Sequence, residues 1–115
     1  MQQTIVNDNT QTIKETNDKL RKQVPFFPLP HLFVMSHNVQ SMAQLDPDSM
    51  NQLLDKVKAF DSFDEDNDPY GEHDFGRIKH HGKDYFFKFD YYDESLQYWQ
   101  ENGVRVLTLM ESTEY

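Results

Sequence analysis

Between Asp46 and Phe60 the apolar positions Met50, Leu53, Leu54, Val57 and Phe60 fall on one side of a 3.6-residue period. The flank agrees, with Asp46 a good N-cap, Pro47 at the first helical position and Asp48 in the first turn. This spacing predicts a helix running to about Phe60. An earlier stretch, Thr10 to Gln23, is also helix-compatible, with Ile13, Leu20 and Val24 at i, i+7 and i+11. Asn17 takes the slot where another apolar residue would complete the stripe, so this helix is expected to be peripheral. Residues 1–9 are polar and are expected to be a flexible N-terminus.

Strand-like patterning occupies most of the remainder. Val24-Pro25-Phe26-Phe27-Pro28-Leu29-Pro30 is an extended apolar connector, because its prolines remove donors and fix φ. His31–Ser36 then reads as a short uncharged strand. Gly76–His80 and Tyr85–Tyr91 look like two strands joined by His81-Gly82-Lys83-Asp84, where Gly82 suits a type II′ hairpin turn. Asp93 to Gln100 suits a turn or short helix, and Asn102-Gly103 is a strong break. Val104–Met110 has apolar residues on both faces, which predicts an inner strand or one covered by helices. The expected fold is α+β: a small antiparallel sheet of three to four strands, with one or two helices packed on one face, over residues 10–115.

Composition narrows the class. At 115 residues there is room for one modest core. The mean hydropathy of −0.86 is low, but 14% aromatic residues, concentrated after Phe60, argue for a folded chain. No cysteine is present, so disulfides and thiolate metal sites are excluded, which suits a reducing cytosol. The first residues lack the basic and long apolar regions of a signal peptide. No apolar run approaches the ~18–20 residues that span a bilayer, so a soluble cytoplasmic protein is expected.

Charge is distributed unevenly. Residues 1–60 hold six acids and six bases, and residues 61–115 hold fourteen acids and five bases, so the whole net charge of −9 lies in the second half. Seven carboxylates fall between Asp61 and Asp74. A field of this sign repels nucleic acid and anionic lipid and favours a basic partner. Bases are sparse, the longest cluster being Lys19, Arg21 and Lys22, too little to track a phosphate backbone.

Three constellations carry candidate chemistry. Asp64-Glu65-Asp66-Asn67-Asp68 opens like a calcium loop, but the sixth and twelfth positions are Pro69 and Phe75, which rules out an EF-hand. Glu72-His73-Asp74, with His80 and His81, offers imidazole and carboxylate groups without a defensible metal-ligand spacing. The bland expectation is that His73 satisfies backbone groups in a tight Gly-flanked turn and that the hairpin histidines face solvent. Asp90-Tyr91-Tyr92-Asp93 could do acid/base work, or could be a strand end with packed tyrosines and capping aspartates. No metal, cofactor or catalytic set is assigned.

Three segments together are distinctive: Asn67-Asp68-Pro69-Tyr70-Gly71-Glu72-His73-Asp74-Phe75-Gly76, Lys88-Phe89-Asp90-Tyr91-Tyr92-Asp93, and Arg105–Tyr115. Here the chain resembles a bacterial family of small uncharacterised proteins, a domain of unknown function with the motifs NDPxGEHDFG, KIDYYD and RVLTIMLASEY. The resemblance covers roughly residues 30–115. It departs from the pattern in a shorter stretch between Asp93 and Arg105 and in Glu111, where a small or apolar residue is usual. It implies no activity; it implies an association with proteobacterial plasmids, phages and integrated elements.

The sequence therefore points to a small acidic binding protein whose partner is a basic, nucleic-acid-binding host effector, as for an inhibitor of CRISPR or restriction systems. The partner-binding acids would be Asp64, Glu65, Asp66, Asp68, Glu72 and Asp74. Direct contact with nucleic acid or membrane is not expected. The alternatives are an acid/base or metal-dependent enzyme using Glu72, His73, Asp74, Asp90 and Tyr91, and an accessory domain with no docking role.

Overall fold

The computed structural model describes the backbone of residues 2–115 and the side chains of residues 9–115. The order is α1 (Gln2–Arg21), β1 (Leu32–Met35), α2 (His37–Leu45), α3 (Pro47–Ala59), β2 (Phe75–His80), β3 (Lys83–Tyr92), β4 (Val104–Glu111) and a closing 3₁₀ turn, Ser112–Glu114. The first helix begins at Gln2 rather than at the expected Thr10; of residues 1–9, expected to be flexible, Met1 and the side chains through Asp8 lie outside the described residues.

The four strands form one sheet in the order β1-β4-β3-β2. The α+β class is as expected, with one difference in the sheet. β2–β3 and β3–β4 are antiparallel, but β1 runs parallel to β4, with Leu32 opposite Val106 and Met35 opposite Leu109. The reason is that α2 and α3 follow β1 and carry the chain across the sheet before β2 begins, so β1 and β4 are not hairpin neighbours. β4 is the inner strand its two-sided apolar pattern required.

Alternation sorts the sheet into two faces. Tyr85, Phe87, Phe89 and Tyr91 of β3 point inward with Leu107 and Leu109 of β4, and all are buried. The α3 helix packs there through Met50, Leu53, Leu54 and Val57, with Phe60 partly buried against the same cluster. Fully burying Leu53 or Val57 contributes roughly 1.5–3 kcal/mol each. Gly76 lets β2 pass the rings of Phe87 and Phe60, which a Cβ would strike.

The α2 helix has no counterpart in the sequence expectations. Ser36 caps it, accepting from Val39 N–H, and Asp46 ends it while N-capping α3 through Ser49 N–H at 3.1 Å. Glu114, from the last turn, receives Ser36 Oγ–H at 2.6 Å and Asn38 N–H at 2.9 Å. Burial alone would raise the Glu114 carboxyl, but these donors outweigh it and hold it low. The distinctive C-terminal segment thus anchors the start of α2.

The β2–β3 hairpin also differs in detail. His80 pairs with Lys83, and both turn residues have positive φ, His81 at 49° and Gly82 at 79°. This is a type I′ turn rather than the expected II′.

Candidate functional site

The acidic loop is ordered by its own short side chains. The Asp64 carboxylate accepts from Asp66 N–H at 2.9 Å and Asn67 N–H at 3.0 Å, while the Asn67 amide bonds Asp64 N–H and Ser62 O. Asp68 is buried, and one of its oxygens takes the backbone N–H of both Glu72 and His73. That closes a turn in which Gly71 has φ 72° and His73 φ 56°, conformations glycine tolerates freely and histidine less so.

The candidate acids therefore divide. Asp64, Glu65 and Asp66 are exposed, as is Asp61; Asp68 is buried as the turn's acceptor; Glu72 and Asp74 are half-buried. His73 does not serve backbone groups with its ring as the bland expectation held. Its imidazole lies flat on Phe63 at 3.8 Å between ring centres. Nδ1 is 2.9 Å from the Asp18 carboxylate, and Nε2 is 3.8 Å from Asp68. Burial would raise the Asp18 carboxyl, yet the bonds from His73 and Arg21 hold it below its usual value. This pair borders a cleft of about 290 Å³ that Lys22, Lys58 and Asp61 also line.

A second network lies deeper. Asn17, with no exposure, donates to Glu72 O at 3.0 Å and Tyr91 Oη at 2.9 Å, and accepts from Arg105 Nε at 2.9 Å. Tyr91 donates to Glu72 Oε1 at 2.8 Å, and burial together with that carboxylate pushes its phenol well up. The Arg105 guanidinium sits 4.9 Å from the Tyr91 ring centre and donates from Nη1 to Gly103 O; its Nη2 has no hydrogen-bond partner among the described residues. Asp74, buried beside Glu72, Asp68 and Asp90, is raised to about 6. Asp90 points to the opposite sheet face from Tyr91 and pairs with Lys88 at 3.3 Å. Asp93 caps the following turn through Ser95, Gln97 and Tyr98.

The α1 helix is therefore not peripheral, contrary to the reading of Asn17 as a gap. Ile13, Asn17, Leu20 and Arg21 are all buried, and Arg21 Nη1 donates to Val57 O and Lys58 O, capping the C-terminal end of α3. Asn17, Asp18, Arg21 and Arg105 escaped the sequence reading. Two signals could have found them: Asn17 and Arg21 share a helix face with Ile13 and Leu20, and Arg105 has the inward parity of Leu107 and Leu109.

The hairpin histidines also separate, contrary to the expectation that both face solvent. His81 is exposed, but His80 is 1% exposed. Its Nδ1 lies 2.9 Å from Lys56 Nζ and its Nε2 3.0 Å from Ser49 O. With the ammonium donating to Nδ1, the proton sits on Nε2 and is donated to Ser49, so this ring is no base for the Ser49 hydroxyl. Among the described residues, no group of three or more His, Cys, Asp or Glu side chains is arranged to hold a metal ion. No helix among them is long and apolar enough to cross a membrane.

Fold and site define an α+β protein in which three helices cover one face of a mixed four-stranded sheet, and an acidic turn is tied to sheet and first helix by buried polar bonds. The chain belongs to a family described as protein of unknown function (DUF3768), whose model matches residues 38–114. No curated protein and no solved structure matches it. The matched part contains Asp68, Glu72, His73, Asp74, Tyr91 and Arg105, whereas α1 and β1 precede it.

Proposed function

We propose that this protein is a small acidic binding protein that occupies a basic surface on a nucleic-acid-handling host protein. The observation that carries the reading is the exposed, internally braced loop presenting Asp61, Asp64, Glu65 and Asp66, beside Tyr70 at 79% exposure. A pre-ordered row of carboxylates loses little freedom on docking, and an exposed tyrosine next to it is a residue type enriched at binding hot spots. Asp68 and Glu72 act behind this surface, holding its shape through the turn's backbone N–H groups and the Tyr91 hydroxyl. The resemblance to a family associated with plasmids, phages and integrated elements fits a mobile-element origin and a partner such as a CRISPR effector or restriction enzyme, and a cysteine-free chain suits a cytoplasmic site of action.

The test is capture from a proteobacterial lysate by the wild-type protein and by the D61N/D64N/E65Q/D66N variant. An amide in place of the Asp64 carboxylate keeps the oxygen that accepts from Asp66 and Asn67, so the loop should stay folded. The reading expects a retained nucleic-acid-binding protein that is lost at high salt, lost with the variant and competed off by DNA or RNA. Equal retention by both proteins at low and high salt would refute it.

One observation favours a second reading, acid/base catalysis: the raised Asp74 lies in a turn with Glu72 and His73, and perturbed carboxyls concentrate at functional sites. That reading requires single changes at His73 or Asp74 to abolish an activity while the loop acids are dispensable; Asp90, on the other sheet face and paired with Lys88, drops out of it. A pure accessory domain would show no change in any interaction.

A further inference from the structure

Residues 24–45 contain no Lys, Arg, Asp or Glu, in a chain where such residues make up 27%. They form the proline connector, β1 and α2, so the β1 edge of the sheet is free of ionic side chains along the strand and its approach. Apolar groups remain outside there: Phe26 is 83% exposed, Leu29 85% and Val34 42%.

The backbone of this edge is open as well. Ser36 N–H donates to Leu109 O, and in a parallel ladder alternate residues bond the neighbouring strand. Leu32, Val34 and Ser36 therefore turn their peptide groups toward β4, while Phe33 and Met35 turn theirs away. Gln40 Nε2 donates to Met35 O at 2.7 Å and closes one end. The N–H and C=O of Phe33 and the N–H of Met35 make up the rest. The opposite edge of the sheet, β2, is guarded by exposed Arg77 and Lys79, the kind of charge that blunts strand addition. β1 has no such guard.

We propose that this edge is the contact between two copies of the chain, paired antiparallel through β1 about a two-fold axis into one continuous sheet. Two arguments select a second copy as the occupant. Antiparallel pairing is self-complementary: the Phe33 groups exchange bonds with their own copies, and Phe26, Leu29 and Val34 meet the same apolar set across the axis. Charge gives the other. Each copy carries −9, all of it from residues 61–115, so two copies approach with least repulsion along the edge built from residues 24–45. A basic partner would find one carboxylate there, Glu114, already engaged by Ser36 Oγ–H and Asn38 N–H at the end of β1.

The experiment is light scattering coupled to size exclusion, over a concentration series at low and high salt. The wild type is compared with V34K, with F26S/L29S and with the loop variant D61N/D64N/E65Q/D66N. All the substituted side chains are at least two-fifths exposed or lie on the outer loop, and circular dichroism with a denaturation midpoint checks that each variant is folded. The expected result is a dimer that tightens with salt, since screening relieves repulsion between like-charged copies. V34K and F26S/L29S should each raise the dissociation constant about tenfold or more, and the loop variant should leave dimerisation intact or improve it. In the wild type, amide exchange at Phe33 and Met35 should slow as concentration rises. A folded monomer at every concentration and salt would overturn the proposal. So would a dimer indifferent to V34K and F26S/L29S, or an edge occupied solely by a different protein. Docking of a basic partner weakens with salt, so failure of that reading and failure of this one are separately visible.

Discussion

Replacing Asn17 with Leu would complete the apolar stripe of α1, and from periodicity alone that change should stabilise the protein. The structure predicts the reverse. Asn17, itself without exposure, accepts the Arg105 Nε–H and donates to Tyr91 Oη, both buried, and to the part-buried Glu72 O. Leu would remove the acceptor from a buried cation whose Nη2 already lacks a partner among the described residues. A hydrogen bond to a charged group is worth ~1.5–3 kcal/mol and a neutral one ~0.5–1.5 kcal/mol, with a further penalty for each buried group left unpaired. Leaving the Glu72 carbonyl and the arginine short of partners while gaining apolar contact gives a net loss of roughly 3–5 kcal/mol. That is a large share of the ~5–15 kcal/mol typical of a domain.

Urea denaturation followed by circular dichroism measures the loss as a shift of about 1.5 M or more in midpoint, given a slope of roughly 1–2 kcal/mol/M at this size. The double variant N17L/R105M removes the stranded cation together with its acceptor. It should recover part of the loss, because an apolar pair of similar volume is often as stable as a buried polar one. If N17L alone is neutral or stabilising, Asn17 does not hold Arg105 and the network is wrongly drawn. If the double variant is as unstable as the sum of the singles, the two residues are not coupled.

Two further predictions concern pH and one concerns packing. The Asp74 carboxyl is raised to about 6, above its unfolded value near 3.9, so its contribution is favourable at low pH and is lost as pH rises through 6. D74N should therefore stabilise the protein at pH 7–8 by roughly 1–2 kcal/mol, allowing for solvent screening at a half-buried site, and give no gain near pH 4; a midpoint gain that does not depend on pH would contradict this. His80 is lowered by burial, by Lys56 and by His81, against weaker support from Ser49 and Asp46, so the stability it contributes is full above about 6.5 and is lost as pH falls below that. H80Q should flatten that acid-side slope in a denaturation series, and an unchanged slope would show that His80 titrates normally. G76A would drive a methyl into the Phe87 ring and within 2.9 Å of Phe60 Cε2, and should cost about 1–3 kcal/mol in the same assay; a wild-type midpoint would mean those rings can move aside.

Periodicity carried the strongest elements. The α3 helix is legible because its stripe, its N-cap and its first-position proline agree, and β3 and β4 because aromatic and branched residues alternate against a covered face. The α2 helix has a signal of its own, since Ser36 precedes Val39, Met42 and Ala43 at i, i+3 and i+4, but nine residues with so short a stripe and no charged residue give it little periodicity to stand on. The parallel pairing of β1 was not legible, because register across a crossover depends on where two helices deliver the chain. The site divides in the same way. The Asp68–Asp74 turn stood out by composition, whereas its partners Asn17 and Asp18 lie 55 residues upstream of the groups they bond, and Arg105 lies far downstream; they meet only in the folded chain. A buried polar residue inside an apolar stripe is the one local hint of such a network, and it reads equally as a weak helix.

The most distinctive segments of the chain are spent largely on its interior. Asp68 closes a turn, Tyr91 and Arg105 meet under α1, and Glu114 caps α2, so changing any of them alters folding before it alters a surface. An alanine scan of the motif residues would for that reason report loss of function whatever the function is. Substitutions that separate recognition from folding have to be made at Asp61, Asp64, Glu65 and Asp66 on one side and at Phe26, Leu29 and Val34 on the other, because these are exposed and few of their side chains brace the fold. The two sets also differ in kind. The first acts through charge and should respond to salt by weakening; the second acts through apolar contact and strand pairing between like-charged copies and should respond by strengthening. Salt is therefore the variable that assigns an observed association to one surface or the other before any residue is changed.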